Sequence, residues 1–584
     1  MFIHSITISN YRQLSNVHLN FQKNLTVLAG PNNSGKTTLI TLLNEIFNNG
    51  KMSYSYIDIP TKLSIEWVDK IISVVKPLFL SNDKKNGVTQ VVTALTKDES
   101  FKEEYSIKCF EVKVQVDYDP ESDIIQEFAD YLMDLDNTKH SFYFLYTFIP
   151  SVSVFERLLG DRYEKIKQRF IDLENPECLE KEVKQYSLKD DFLKLYCDCL
   201  VEKCYFCNCD YSTQNSMEVS DFKKLFNFRS IKASRNLDDS DKDSSKGISK
   251  SIVSLLKNDD EWVLKTKELP NTLLNGILQS GAKTVLQKSS VDSLDKTIQD
   301  ISKTSGGHVG KIQLEMDVDE SDVDQFIQKI TRAKYDIDGL LLNESSQGLG
   351  FSNLIYLHMQ LEDFYKSIDP KIVNVFFIEE PESHMHPQMQ NIFIKHLKSY
   401  YEEKSLQGLI TTHSNEIAKS VDISSLRVIR QTEKSKSELF DLSEFKKSIE
   451  GEIIEEIDDD TTCLIENFYE WFFEIGYSEL IFADKVILYE GDSERLYIRK
   501  LINLDEFSAL SNSYIAFIQV GGAYALNYRS MLTKLRIKSL IITDLDYSKS
   551  VAELSEVKSS NSTNATINSF YKRLCEKDNN TNIE

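Results

Sequence analysis

The apolar positions of this chain fall into short runs, separated by polar turns and by longer stretches of helical spacing. Residues 3–8 alternate, residues 17–21 follow after a turn, and residues 25–29 (LTVLA) are nearly all apolar. Alternation predicts a strand with one wet face, and an unbroken run predicts one buried on both. Residues 38–47 (TLITLLNEIF) then switch to a 3.6-residue period and predict a helix. Residues 107–118 (IKCFEVKVQVDY) alternate strongly, as a further strand of the same lobe does, whereas 122–148 and 152–200 read as mainly helical. The stretch 235–250 is polar and charged and reads as a surface loop or hinge, with helical spacing resuming over 251–305. Apolar runs return at 374–378 (NVFFI), 409–410, 485–489 (KVILY), 517–520 and 539–543 (SLIIT). Between them, 441–480 is acidic and then aromatic, as a linker that packs onto the domain after it.

Composition narrows this picture only a little. A chain of 584 residues is long enough for about three domains with large cores. There is no apolar run of about 18 residues, so no transmembrane helix is expected. The start, MFIHSITISN, alternates and lacks the layout of a secretory signal. Nine cysteines in no even framework indicate a reducing compartment, and the expected location is the cytoplasm. The net charge of −23 argues against a generally basic surface for nucleic acid. It leaves room for a local groove neutralised by metal ions.

The chemistry begins directly after the third apolar run. Gly30-Pro31-Asn32-Asn33-Ser34-Gly35-Lys36-Thr37 satisfies the phosphate-loop pattern G-x-x-x-x-G-K-[ST], with a strand before it and a helix after it. Glycines let the backbone curl so that the N–H groups of the Gly30, Asn33, Ser34 and Gly35 stretch, together with the helix start at Thr37 and Thr38, point at phosphate. Lys36 is expected to reach the β- and γ-phosphates, and the Thr37 hydroxyl to hold Mg²⁺. Arg12, in the turn after the first strand, has two open readings: contact with the nucleotide, or a surface turn.

Residues 374–378 run into Glu379 and Glu380, which places acids at the sheet edge where ligands of α/β folds bind. Glu379 is expected to hold Mg²⁺ through water and Glu380 to polarise the attacking water. His413 ends the strand expected to lie next in order and is a candidate for the γ-phosphate or that water. His384 and His386 have metal spacing, but Pro387 suggests a loop shaping an interface. Residues 345–350 (SSQGLG) open a helix at 351–361, so Ser346 and Gly348 form a second candidate anion-binding end.

A second acidic set lies further along the chain. Residues 485–489 end at Glu490, with Glu494 one helical turn on, and 539–543 end at Asp544 and Asp546. Parallel strands would bring all four acids to one edge, an oxygen-rich site suited to Mg²⁺ or Mn²⁺. Cys204 and Cys207 admit two readings, a zinc half-site or a strand carrying reduced thiols.

Taken together, the phosphate loop, the acid strand, His413 and the small-residue loop resemble the ABC-type ATPases of the SMC and RecF kind. The loop at 345–350 departs from their usual Leu-Ser-Gly-Gly-Gln, and their glutamine loop has no evident counterpart. The series E-G-x-x-E, G-G, D-x-D over 490–546 resembles the Toprim domain. An ABC ATPase followed by a Toprim is the layout of the OLD (overcoming lysogenization defect) family, members of which act in anti-phage defence alone, beside a helicase as in Gabija, or as retron effectors.

The resemblance implies an α/β fold: an ABC ATPase head of two lobes (1–150 and 321–440) around a mainly helical insertion (151–320), a linker (441–480) and a Toprim domain (481–584). It implies ATP and Mg²⁺ or Mn²⁺ as cofactors, double-stranded DNA as substrate, and a homodimer or higher even oligomer. A helicase, or a reverse transcriptase with its nucleic acid, is a further expected partner, and no membrane is. Glu490, Glu494, Asp544 and Asp546 match the family's metal acids; Lys36, Glu379, Glu380 and His413 match its ATPase positions. Relatives often place a basic catalytic residue after the last acids, where Lys572, Arg573 and Lys577 stand here. The rival readings are a non-cleaving ATP-dependent clamp or sensor and a topoisomerase- or primase-like enzyme. The latter would need a tyrosine-bearing cleavage domain or a zinc ribbon, neither of which is evident.

Overall fold

The computed structural model describes residues 1–233 (without 49, 51, 82, 108–109, 134–138 and 175–180), 260–281, 322, 326–327, 330, 334–337, 340–343, 348–443 (without 434), 477–546 (without 512, 522–524 and 545) and 562–568. The chain divides into two compact units. One comprises Met1–Ala233, Asp369–Glu382 and Pro387–Glu584, and the other Ser234–Ile368 and Ser383–His386.

The first unit is organised around a sheet in the order Phe226–Ile231, Val373–Glu379, Gln407–Thr412, Leu25–Ala29, Leu426–Glu433, Lys436–Asp441. Its first five strands are parallel and the last is antiparallel. Every residue of the central strand Leu25–Ala29 is buried, as its unbroken apolar run requires. Helix Lys36–Phe47 comes after the phosphate loop and buries Leu39, Leu42, Leu43 and Ile46 on one face. An antiparallel sheet lies beside this core, in the order Leu14–Asn20, Phe2–Tyr11, Glu111–Asp117, Ser141–Pro150, Leu200–Cys207, Gln214–Met217. Gln407 ties the two together, since its side chain accepts from Ile3 N at 2.8 Å and donates to Ile3 O at 2.7 Å.

Two stretches fold differently from what their sequence patterns suggest. Among its described residues the stretch 122–148 is not mainly helical: apart from the short 3-10 turn Gln126–Tyr131, its regular element is the strand Ser141–Pro150. The run FYFLYTF lacks strict alternation because five successive residues of that strand are buried. The expected insertion 151–320 is also interrupted. Leu200–Cys207, Gln214–Met217 and Phe226–Ile231 all belong to the two sheets. Its two long helices within this unit are Val152–Glu174 and Lys181–Asp198, which pack with Thr61–Ser81 and Lys84–Leu95 around Phe79, Tyr163, Phe170 and Phe192, and the short helix Val219–Lys224 lies between its last two strands. The expected loop at 235–250 lies outside the described residues.

In the second unit, helix Asp260–Gln279 sets Trp262, Leu269 and Leu273 against Ile327. Helix Leu349–Lys366 starts at Gly348, and Asn353 donates to Ser383 O at 2.9 Å.

The C-terminal part is a three-stranded parallel sheet, with Lys485–Tyr489 between Ile515–Gln519 and Lys538–Ile542. It is fastened to the nucleotide-binding sheet by a buried arginine on the strand next to the phosphate-loop strand. Arg430 donates to Ile481 O at 2.7 Å and to Ala483 O at 2.5 Å, and burial lowers its pKa. Arg536 adds an ion pair to Glu438 at 2.7 Å. Arg430→Ala strands two carbonyls in a dry contact, which costs about 3 kcal/mol. Limited proteolysis is expected to release the C-terminal domain sooner from this variant than from the wild type; equal release would refute the clamp.

Candidate functional site

The phosphate loop closes as its sequence dictates. Gly35 has a φ of 106°, and a side chain at Gly30 would stand 2.2 Å from Ile429 O, so neither position accepts another residue without rearrangement. Asn33 is also left-handed, at φ 61°. The helix that begins at Lys36 has no side-chain cap, so its first N–H groups face the loop without a side-chain partner. The Lys36 ammonium is folded into the loop, donating to Gly30 O at 2.7 Å and Pro31 O at 2.9 Å. Burial lowers its pKa, against the pull of Glu380, Glu382 and Glu379. Ser34 Oγ is buried with no hydrogen-bond partner, Thr37 is exposed and Thr38 half-buried. An uncapped helix end, an orphaned buried hydroxyl and a lysine among acids suit a phosphate with its cation.

The acid strand Val373–Glu379 lies two places from the phosphate-loop strand, with Gln407–Thr412 between them. This order carries Glu379, Glu380 and His413 to the same end of the sheet as the loop. Glu379 is buried and accepts from Ala233 N at 3.2 Å, while Thr411, opposite it in register, has a buried hydroxyl without a partner. Glu380 turns the chain in a left-handed conformation, φ 46°, and donates its N–H to Thr411 O at 3.0 Å. His413 Nδ1 lies 3.2 Å from Glu380 Oε1, and this hydrogen bond leads the causes that raise the histidine's pKa. A carboxylate with an imidazole hydrogen-bonded to it is a pair able to orient water and to exchange a proton, as phosphoanhydride hydrolysis requires.

Sequence reasoning missed Glu382. It is buried, its Oε1 accepts from Thr412 Oγ1 at 2.7 Å and from His413 N at 3.0 Å, and burial raises its pKa. The available signal was a third acid just past the proline of E-E-P-E, too far from a strand end to stand out.

The second acidic set meets at the C-terminal edge of the small sheet. Parallel pairing of Lys485–Tyr489 with Lys538–Ile542 places Glu490 beside the Thr543–Asp544 strand end. Thr543 Oγ1 donates to Glu490 Oε1. Glu494 reaches back to accept from Gly491 N at 2.9 Å. The negative charge of Glu490 raises the pKa of Asp544, with burial, Glu494 and Asp546 adding to it. A carboxyl held up mainly by neighbouring carboxylates is an electrostatic demand for a cation. Among the described residues, no three such side chains close on one point at metal-ligand distance in this conformation. The donor set, hard oxygens on one edge, suits Mg²⁺ or Mn²⁺.

Asn564 is the second residue the sequence reading missed. Its Nδ2 lies 2.8 Å from Thr543 Oγ1, 3.2 Å from Asp546 Oδ2 and 3.4 Å from Glu490 Oε1, and the residue is buried. It knits both acid-bearing strand ends together. A polar residue in a polar stretch gave no signal of this.

Other candidates divide. Arg12 pairs with the buried Asp58 at 2.8 Å, which ties its turn down. Cys204 and Cys207 lie on the strand Leu200–Cys207, both buried, and burial pushes the Cys204 thiol up and the Cys207 thiol to about 11. Three positions apart on one strand, the two side chains leave from opposite faces, which favours the strand reading over a shared ion. Gly348 caps the helix Leu349–Lys366 in the second unit, whereas Ser346 lies outside the described residues, as do Lys572, Arg573 and Lys577.

Comparison with known proteins agrees with this division. Residues 1–418 match the AAA ATPase domain family, and residues 481–546 match the TOPRIM domain of overcoming lysogenization defect protein-like proteins. Endonuclease GajA of Bacillus cereus (strain HuB5-5) is 25% identical, over 96% of this chain and 76% of its own length. The OLD nuclease of Thermus scotoductus (strain ATCC 700910 / SA-01) is 24% identical, over 41% of this chain and 43% of its own. Among solved structures, an SMC head domain from Thermotoga maritima covers 75% of this chain and 98% of its own, at 10% identity and a TM-score of 0.32.

Proposed function

Because the chain belongs to the AAA ATPase domain family and also carries a TOPRIM domain of the OLD-like kind, we propose that it is an ATP-hydrolysing, divalent-metal-dependent DNA endonuclease acting in anti-phage defence. The observation that carries the nuclease reading is the joining of Glu490 to the Thr543–Asp544 strand end, with Asp544 held up by the charge of its neighbours. Relatives named as endonucleases support it.

In this reading Glu490, Glu494, Asp544 and Asp546 hold Mg²⁺ or Mn²⁺, and Asn564 fixes the edge from which they act. Bound there, such an ion would supply positive charge that activates the attacking water and neutralises charge developing at phosphorus. At a net charge of −23, DNA approaches this edge through the ions and not through a general basic surface. In the head, Lys36 and the loop N–H groups bind the nucleotide phosphates, Thr37 and Glu379 hold its Mg²⁺, and Glu380 with His413 orients the water.

An end-labelled duplex with Mn²⁺ separates this from the rival clamp. Cleavage products that disappear with chelator support the nuclease; a retarded but intact duplex supports the clamp. A defence role predicts that cells carrying the wild-type chain lower phage plating more than cells carrying Asp544→Ala. The assembly proposed is a homodimer or higher even oligomer, in which two TOPRIM domains can cut both strands of a duplex. Light scattering that gave only the 67.3 kDa monomer, with ATP and without, would contradict the assembly.

A further inference from the structure

We infer that Glu382 is a positioning residue for ATP hydrolysis: its buried carboxylate fixes the turn that carries His413 and so sets the Glu380–His413 pair before ATP arrives. The inference rests on the ATPase reading of the head. The acid strand leaves the parallel ladder at Glu379, paired with Thr411. Beyond that point the acid strand has no further partner in that ladder, while Thr412 of the neighbouring strand still pairs with Ala29 on its other side. Glu380 is left-handed, and Pro381 has no N–H to give. On the neighbouring strand, the N–H of His413 lies one residue past the strand end at Thr412.

Glu382 supplies what the ladder lacks. Its Oε1 takes the Thr412 hydroxyl at 2.7 Å and the His413 N–H at 3.0 Å, and lies 3.7 Å from His413 Nδ1. Thr412 Oγ1 in turn accepts from Ser414 N at 2.9 Å, and Ser414 caps the short helix Asn415–Ala418. The two acids flanking Pro381 therefore grip the His413 turn from two sides. Glu380 holds it through Thr411 O and the imidazole, and Glu382 through the Thr412 hydroxyl and the His413 backbone. A buried carboxylate is expensive to keep, and its other oxygen is buried with no partner. Retention of such a group makes sense where two donors must be held at fixed positions. Misplacement of a catalytic group by about 1 Å is enough to lower a rate about 100-fold.

The test is steady-state ATP hydrolysis by the full chain and three variants. Glu382→Ala is expected to lower kcat at least tenfold with KM for ATP changed less than threefold. Glu382→Gln keeps an acceptor oxygen in the same place and is expected to retain kcat within about threefold. Thr412→Val, which removes one donor and keeps the carboxylate, is expected to fall between them. Equal damage from Gln and Ala would overturn the inference, because the charge and not the acceptor would then matter. An unchanged kcat in Glu382→Ala, or loss of ATP binding in both Glu382→Ala and Thr412→Val, would overturn it too. A wild-type chain that hydrolyses no ATP would refute the ATPase reading itself.

Discussion

Replacing Glu490 or Asp544 by alanine is expected to lower metal-dependent DNA cleavage about 100-fold or more while ATP binding persists. The magnitude comes from removing one preorganised electrostatic group from a charge-developing reaction. The two sites lie on different sheets, so loss at one leaves the other folded. Glu490 is bridged to Thr543, and Asp544 carries a pKa raised chiefly by Glu490. Each substitution therefore also changes the field at the remaining acid. In Glu490→Ala the Asp544 carboxyl loses its strongest neighbour and its pKa falls toward the ordinary range, which NMR titration of the full chain would detect. Nicking by both variants at wild-type rates, at matched Mn²⁺, would remove these acids from the metal site.

The second large effect is in the head. Lys36→Ala removes the only charged side chain of the phosphate loop, and ATP binding is expected to weaken at least tenfold. Glu380→Gln keeps its shape and its N–H to Thr411 O, so ATP still binds, but hydrolysis slows about 100-fold without the carboxylate. The variant also loses the anion that pairs with His413 Nδ1 at 3.2 Å. The histidine's pKa then drops, because that hydrogen bond is the largest cause raising it. Equilibrium binding of a fluorescent ATP analogue and phosphate release separate the two variants. Wild-type hydrolysis by Glu380→Gln would assign the water to another carboxylate.

The contiguous motifs were legible because their chemistry is local. Eight successive residues define the phosphate loop, and the strand before it and the helix after it are set by the residues on either side. Glu379, Glu490 and Asp544 were legible because an apolar run that ends in an acid places that acid at a sheet edge whatever the rest of the fold does. What the sequence concealed is non-local. Phe226–Ile231 (FNFRSI) mixes polar and apolar residues and gives no sign of a sheet strand until Val373–Glu379, far along the chain, pairs with it. Ser141–Pro150 hid its strand because burial on both faces erases alternation. Glu382 and Asn564 are polar residues in polar stretches, and only the folded arrangement brings donors or carboxylates to them. The cysteines were half legible: spacing allowed zinc or a strand, and the fold favours the strand by placing both on Leu200–Cys207, three positions apart.

The arrangement also shows how the two chemistries share one chain. Ile429 lines the phosphate loop, and the next residue, Arg430, holds the carbonyls of Ile481 and Ala483 at the start of the TOPRIM domain. Ser478, just ahead of that domain, donates to Asn415, two residues beyond His413. The nucleotide site and the TOPRIM domain are thus fastened through adjacent residues at two points. The most direct measurement is plasmid nicking by the purified chain with Mg²⁺ or Mn²⁺, with and without ATP, beside Asp544→Ala. The account predicts conversion of supercoiled to nicked or linear DNA that requires the metal and disappears in the variant. Plasmid that stays supercoiled at every metal and ATP condition, from a preparation that hydrolyses ATP, would contradict it.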